Sequence, residues 1–204
     1  MDSILFQKLE GVGQITLHRP EKFNAFCREM ALGFQAALDD CAADDAIRSI
    51  YVTGAGKAFC AGQDLAEVVD PNGPGMQRIL AEHYNPIVAR IRAIPKPIVM
   101  AVNGVAAGAG ANIALAGDVV VAASSASFLQ AFSKIGLIPD SGGTFTLPRL
   151  VGWQRASALM MLGDKVSAAD AWAMGMLYKV LPDENFAADS LALAQQLAAM
   201  PTQA

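Results

Sequence analysis

Histidine and cysteine are scarce in this 204-residue chain, with two of the first and three of the second. Cys27, Cys41 and Cys60 form an odd set without C-x-x-C spacing, which excludes a disulfide framework and a cysteine zinc site on pattern grounds. The G-x-S-x-G elbow is absent, and His18 and His83 read as surface or packing residues, so Ser–His–Asp chemistry has no support. Basic charge is also short: 15 Lys and Arg against 19 Asp and Glu give a net charge of -4, which leaves no broad basic face for nucleic acid. The start, Met1-Asp2-Ser3-Ile4, lacks a basic segment ahead of an apolar run. No secretory signal is read there, and a cytoplasmic setting is the expectation.

Two nucleotide motifs fail at defining positions. Gly54-Ala55-Gly56-Lys57 has Tyr51 where a phosphate loop needs glycine and Ala58 where it needs Ser or Thr. Gly108-Ala109-Gly110 lacks the third glycine of a dinucleotide fingerprint, Ile113 standing in its place. The acidic run Asp39, Asp40, Asp44 and Asp45 lies at a helix end near Arg48 and reads as a solvated face rather than a metal site. No metal site is expected.

What the chain does have is apolar mass: 53% of residues are hydrophobic and 17% charged, enough to bury one large core. The long apolar stretch over 98–123 is interrupted by Asn103, Asn112, Asp118 and several glycines, so it reads as buried core and not as a membrane span. Patterning predicts a hairpin over 4–8 and 13–18, a helix over 27–42 and a buried strand over 49–53. A surface loop over 71–75 then precedes a helix over 76–93 that stops before Pro95. Further strands are predicted over 97–102 and 119–122, a short helix ending near Gly117, and helices over 144–150, 154–162, 167–174 and 187–199. The alternation is that of an α/β protein.

Three glycine-bearing loops carry the chemistry. Phe59-Cys60-Ala61-Gly62-Gln63-Asp64-Leu65 and Asn103-Gly104-Val105-Ala106-Ala107-Gly108-Ala109-Gly110 each follow a β-rich segment and precede a helix-like one. Amides at such junctions lack helical partners and can bind developing negative charge. Ile138-Pro139-Asp140-Ser141-Gly142-Gly143-Thr144 sets a lone carboxylate among apolar residues. One acid/base and an oxyanion-binding pair are the minimum for making and collapsing an enolate. Plainer readings stand beside this: glycines for close helix–sheet packing, and Asp140 as the N-cap of the next helix.

Those three stretches, with Arg19-Pro20-Glu21-Lys22-Phe23-Asn24-Ala25, Pro95-Lys96-Pro97, Gly117-Asp118 and Leu147-Pro148-Arg149, resemble the crotonase (enoyl-CoA hydratase/isomerase) superfamily along most of the chain. Within it, 136–149 and Tyr84-Asn85-Pro86 are most similar to the branch that isomerises ring-epoxidised arylacetyl-CoA. The resemblance implies a spiral of ββα units forming one core domain over 1–204, a CoA thioester substrate and no separate cofactor. It implies trimers or dimers of trimers, and relatives whose chains continue with C-terminal helices. By matching positions, the backbone donors fall on Gln63 and Ala109, and the base on Asp140, shielded by Phe132, Ile138, Pro139 and Phe145. The two glutamates of the family's hydratases correspond to Asn112 and Phe132, neither of which can act as a carboxylate base. Lys22, Asn24, Ala61, Asp64 and Leu65 would lie on the CoA side, Gly62, Gly108 and Asn112 would contact substrate, and Tyr84 and Phe132 would line the acyl pocket. Three outcomes follow: isomerisation of the aryl epoxide, double-bond migration in a non-aromatic enoyl thioester, or a catalytically silent CoA-binding subunit.

Overall fold

The computed structural model describes residues 3–202; Met1 and Asp2, at which the start was read for a leader, lie outside them, as do Gln203 and Ala204. A hairpin opens the chain, β1 (Ile4–Leu9) and β2 (Val12–Leu17), turned by Glu10 and Gly11, both at positive φ. Helix α1 (Arg28–Ala43) follows, burying Met30, Phe34, Leu38 and Cys41, spaced as one helical face. Its far end is solvated: Lys8 bridges Asp40 and Asp44 at 2.7 and 2.8 Å, and Arg90 pairs with Asp39.

Three ββα units come next. They are β3 (Ser49–Gly54), β4 (Ala58–Cys60) and α2 (Leu65–Val69); β5 (Ile98–Val102), β6 (Val105–Ala107) and α5 (Ala109–Leu115); and β7 (Val119–Ala123), β8 (Ser127–Leu129) and α6 (Gly143–Val151). Between the first two units run α3 (Gly75–Ile79), a π-turn (Leu80–Tyr84) and α4 (Asn85–Ala93). The chain ends with α7 (Trp153–Leu162), β9 (Lys165–Ser167), α8 (Ala168–Ala173), β10 (Lys179–Leu181) and α9 (Phe186–Ala199).

The first strand of each unit enters a six-stranded sheet of order β1-β2-β3-β5-β7-β10, parallel except for β1. The second enters a four-stranded sheet of order β4-β6-β8-β9, parallel except for β9. All five residues of β5 are buried, the continuous apolar run of a strand covered on both faces. The core joins that sheet to α1, α4 and α9 through Ile15, Phe26, Phe34, Ile50, Ile87, Met100 and Ala194. Each large apolar side chain so buried contributes about 1.5–3 kcal/mol.

The helix predicted over 76–93 is interrupted. Pro86 has no N–H to offer the Glu82 carbonyl, so the Asn85 amide reaches back five residues to Leu80, and Gln35 Nε2 donates to Glu82 O at 2.8 Å. Tyr84 and His83 are both buried in this turn, and neither His83 ring nitrogen has a hydrogen-bond partner among the described residues. Among those residues no helix is long and apolar enough to cross a membrane.

Candidate active site

Strands β4, β6 and β8 are parallel neighbours, so the chain leaves all three at one edge of the small sheet, where ligands of α/β proteins bind. Gln63, Ala109 and Asp140 lie on the segments that follow. The Gly108 amide donates to Leu129 O at 2.8 Å, tying the second exit to the third. Gly62 sits at φ +97°, and a Cβ there would lie 3.0 Å from Ala107 O and 3.6 Å from Ala109 N, so the first two loops abut. Only glycine allows both that backbone and that approach.

Backbone pairing sets the direction of the first amide. Phe26 N donates to Gly62 O at 2.7 Å and Asp64 N donates to Phe26 O at 2.8 Å, a parallel bridge in which Gln63 directs its own N–H to the opposite side. Ala109 is the first residue of α5, where helix geometry supplies no acceptor. Among the described residues neither amide has one. Two unspent donors therefore stand on adjoining loops.

Asp140 does not cap α6. Its backbone carbonyl accepts from Gly143 N at 2.9 Å, while Ser141 and Gly142, at φ +50° and +75°, turn the chain into the helix. The carboxyl accepts the Ser141 hydroxyl, Oγ to Oδ1 at 2.9 Å. Burial pushes it up to about 6, against the opposing pull of that hydroxyl. A second contact holds the backbone: Asn112 Nδ2 donates to Asp140 O at 2.9 Å, and Gln130 Nε2 donates to Asn112 Oδ1 at 2.8 Å. Gly143 makes room for this pair, since a Cβ there would meet the Asn112 amide at 2.2 Å.

A cavity of about 490 Å³ collects these groups. Its walls include Lys22, Ala61, Gly62, Gln63, Asp64, Leu65, Gly108, Ala109, Phe132 and Asp140, all named from the sequence, together with Phe23, Val68, Met76, Ile135 and Leu137. Phe132 is both core and wall, 5% exposed, and its ring tip lies 3.8 Å from where a Gly108 Cβ would be. Lys22 and Leu65 stand exposed at the cavity, and Asp64 is engaged by Arg19 at 2.8 Å while it caps α2 through Ala66 N.

Three expected contacts lie elsewhere. Asn24 is fully buried; its Oδ1 accepts from Arg19 N and its Nδ2 donates to Ala55 O and Ala58 O, so it clamps the loop between β3 and β4 instead of facing CoA. Asn112 is spent on Asp140 and Gln130 and does not line the cavity. Tyr84 is fully buried beneath the wall, packed edge-on against Phe26, with its hydroxyl donating to Gln63 Oε1 at 2.6 Å. The expected shield over Asp140 is also smaller. Ile138 is 83% exposed, and Phe145 lies on the outer face of α6 beneath the Arg149 guanidinium, because Gly143, Leu147 and Val151 take the inner face.

Ser141, Gln130 and Glu67 join the site without having been anticipated, and Arg19, quoted only as part of the segment that resembles the family, joins it through Asp64. Ser141 lies inside the Asp140 motif, but a hydroxyl beside a carboxylate has no sequence signature of contact, and Arg19 and Asp64 pair across 45 positions. A wider opening of about 640 Å³ has its cations engaged: Arg48 donates to Thr202 Oγ1 and Met200 O, and Lys96 Nζ is held by the carbonyls of Cys41, Ala42 and Asp44.

Comparison with known proteins supplies a chemical frame. The family described as enoyl-CoA hydratase/isomerase matches residues 7–204. The chain is 49% identical to the 1,2-epoxyphenylacetyl-CoA isomerase of Escherichia coli (strain K12) over 205 residues, which cover 99% of this chain and 78% of that protein. It is 38% identical to a trans-2-decenoyl-[acyl-carrier-protein] isomerase of Streptococcus mutans, over 89% of this chain and 70% of that one. The crystal structure of an enoyl-CoA hydratase from Mycobacterium avium subsp. paratuberculosis K-10 superposes with a TM-score of 0.92 at 32% identity, covering 100% of this chain and 81% of the other.

Proposed function

Because the chain belongs to the enoyl-CoA hydratase/isomerase family, and so is an enzyme, we propose that it isomerises an acyl-CoA thioester through Asp140, with 1,2-epoxyphenylacetyl-CoA as substrate and the oxepin thioester as product. The observation that carries this reading is one carboxylate, raised to about 6 by burial, facing a cavity shared with two unspent backbone amides.

The thioester oxygen accepts from Gln63 N–H and Ala109 N–H, so electron density leaving the α-carbon is stabilised as it reaches oxygen. Loss of one such donor costs roughly 2.7–4 kcal/mol of transition-state stabilisation. Asp140 takes the α-proton and the released pair forms the enolate; the carbon–carbon bond of the epoxide breaks while both C–O bonds are kept, which expands the ring to the seven-membered oxepin, and the same proton returns to the ring carbon γ to the thioester carbonyl, leaving the new double bond between the α- and β-carbons. Nothing is gained or lost overall. A carboxyl near pH 6 suits both steps, being ionised at neutral pH and still basic enough to hold a proton briefly. Water addition by paired glutamates has no counterpart, Asn112 being spent on the backbone and Phe132 apolar. CoA arrives with the substrate, its polar end passing Lys22, and the reading invokes no other cofactor. A trimer or dimer of trimers in the cytoplasm accompanies the same proposal.

Deuterium exchange tests it. A phenylacetyl thioester of CoA incubated with the enzyme in deuterated water should exchange its α-hydrogens, and Asp140→Asn should stop this; exchange persisting in the variant would remove Asp140 from the role of base. The likeness to the Streptococcus mutans isomerase favours a second substrate class, a linear enoyl thioester undergoing double-bond migration. Product analysis with each substrate separates the two.

A further inference from the structure

Tyr84 never reaches the cavity, yet it touches the residue whose backbone does. Gln63 is strung between two elements: its Oε1 accepts from Tyr84 Oη at 2.6 Å and its Nε2 donates to Glu67 Oε2 at 2.7 Å. The other Glu67 oxygen accepts from Arg28 N at 2.9 Å, the first amide of α1. The chain of bonds thus ties the π-turn, α2 and the start of α1 to a single side chain.

That side chain belongs to a residue whose amide is aimed from one side already. The Gly62 carbonyl that Phe26 N holds at 2.7 Å lies in the same peptide plane as the Gln63 N–H, so the pairing directs both. That one bond still lets the plane tilt about Gly62 O, and Gly62, at φ +97°, resists the tilt less than any other residue would. Holding the Gln63 side chain at both ends restricts the tilt from the other direction. The chemistry of the clamp is well defined. Burial, with Cys60 and Asp140 nearby, pushes the Tyr84 hydroxyl well above its ordinary value, so it stays a neutral donor. With Tyr84 donating, Gln63 must present its oxygen to it and its amide nitrogen to Glu67, which fixes the orientation of the side-chain amide.

We propose that Tyr84 is a positioning residue: through the Gln63 side chain and Glu67 it aims the Gln63 backbone N–H at the thioester oxygen. This rests on the carbonyl-binding reading of the cavity. It predicts a specific division of effects, because aim matters to the enolate far more than to the bound ground state.

Phenylacetyl-CoA labelled with carbon-13 at the carbonyl is the probe, followed by difference infrared spectroscopy of the bound thioester and by α-hydrogen exchange. Tyr84→Phe keeps the ring against Phe26 and removes only the hydroxyl. The expected result is exchange slowed about ten- to a hundredfold, dissociation constant changed less than about twofold, and a smaller red shift of the carbonyl band than in the wild type. Glu67→Leu should reproduce that pattern and Glu67→Gln, which keeps an acceptor, should largely restore it. If Tyr84→Phe does not fold, Gln63→Met removes both bonds from the centre of the chain and should give the same signature. A Tyr84→Phe band and exchange rate equal to the wild type, or slowed exchange with an unaltered band, would overturn the positioning role while leaving the carbonyl-binding reading intact. A wild-type band unmoved from that of free thioester would end both.

Discussion

The two walls of the cavity are built in opposite ways. On the donor wall, Gln63 and Ala109 present backbone amides that cannot titrate, held by parallel pairing to Phe26 and by the first turn of α5. On the base wall, Asp140 is a titrating side chain on an irregular segment, reached through Ser141 and Gly142 at positive φ and flanked by the exposed Ile135 and Ile138. In the proposed mechanism the donor wall is the fixed reference against which charge develops, and the base wall carries what must change state. A side chain that takes up a proton is kept partly buried at a cost in stability, whereas amides are neutral and add no such cost.

Predictions that test this contrast run from severe to slight. Asp140→Asn should lower exchange by about 10²–10⁴-fold and at the same time raise the melting temperature at pH 7. The sign follows from the raised value: the folded protein holds the Asp140 proton up to about 6 while the unfolded chain releases it near the ordinary 3.8. Folding is therefore favoured by the proton at low pH, loses stability as pH rises between those two values, and stays penalised above them. Removing the charge should return on the order of 1–3 kcal/mol at neutral pH, partial exposure reducing the amount. The exchange rate of the wild type should in turn rise along a limb centred near pH 6. A variant less stable than the wild type at pH 7, or a limb near 4, would contradict the burial of that carboxyl.

Gly110→Ala attacks the donor wall through packing. A Cβ there would lie 2.4 Å from Cys60 O and 2.7 Å from Cys60 Cβ, so α5 would have to retreat from β4 and take Ala109 with it. We expect a loss of about 1–3 kcal/mol by denaturant unfolding, and a smaller carbonyl shift in the bound thioester. Unchanged stability would mean that the walls meet less tightly than described.

Asn112→Val leaves the Asp140 carbonyl with Gly143 N but strips it of the second donor, and leaves Gln130 Nε2 unpaired. The stability cost should be about 1–3 kcal/mol, and exchange should slow roughly tenfold or more, since a misplaced catalytic group of about 1 Å costs up to ~10²-fold. Substrate affinity should hold, as Asn112 is absent from the cavity wall. Weakened binding with an unaltered rate would instead return Asn112 to the substrate side. Least affected should be Ile138→Ser: at 83% exposed its change should stay within about 0.5 kcal/mol and leave exchange unaltered.

Periodicity made the larger framework legible. Helices α1, α6, α7 and α9 and strands β1, β2, β3, β5 and β7 fall within a residue or two of their expected limits, because each is long enough to show a face. The small sheet was invisible by the same logic: β4, β6, β8 and β9 are three residues each, shorter than two periods of alternation, and β4 and β6 are embedded in glycine motifs that read as loops. The π-turn was hidden because Gln35, which supplies the donor to Glu82 O that Pro86 cannot, lies 47 positions away. Among the proposed site residues, the three loops could be named from the sequence, while the choice of Gln63 and Ala109 within them came from the family likeness. Asn24, Asn112 and Tyr84 could be placed near the site but not aimed, since whether a side chain faces the cavity or the support behind it is decided by tertiary contacts.

Each reacting element of the proposed mechanism lies on a different ββα unit: Gln63 on the first, Ala109 on the second, Asp140 on the third. The grip on a thioester and the choice of what to do with it are on this account carried by different loops, though not by independent ones. A lineage that rewrites the third exit loop to change the reaction has also to keep or replace its hold on Asn112, because the second unit braces the base.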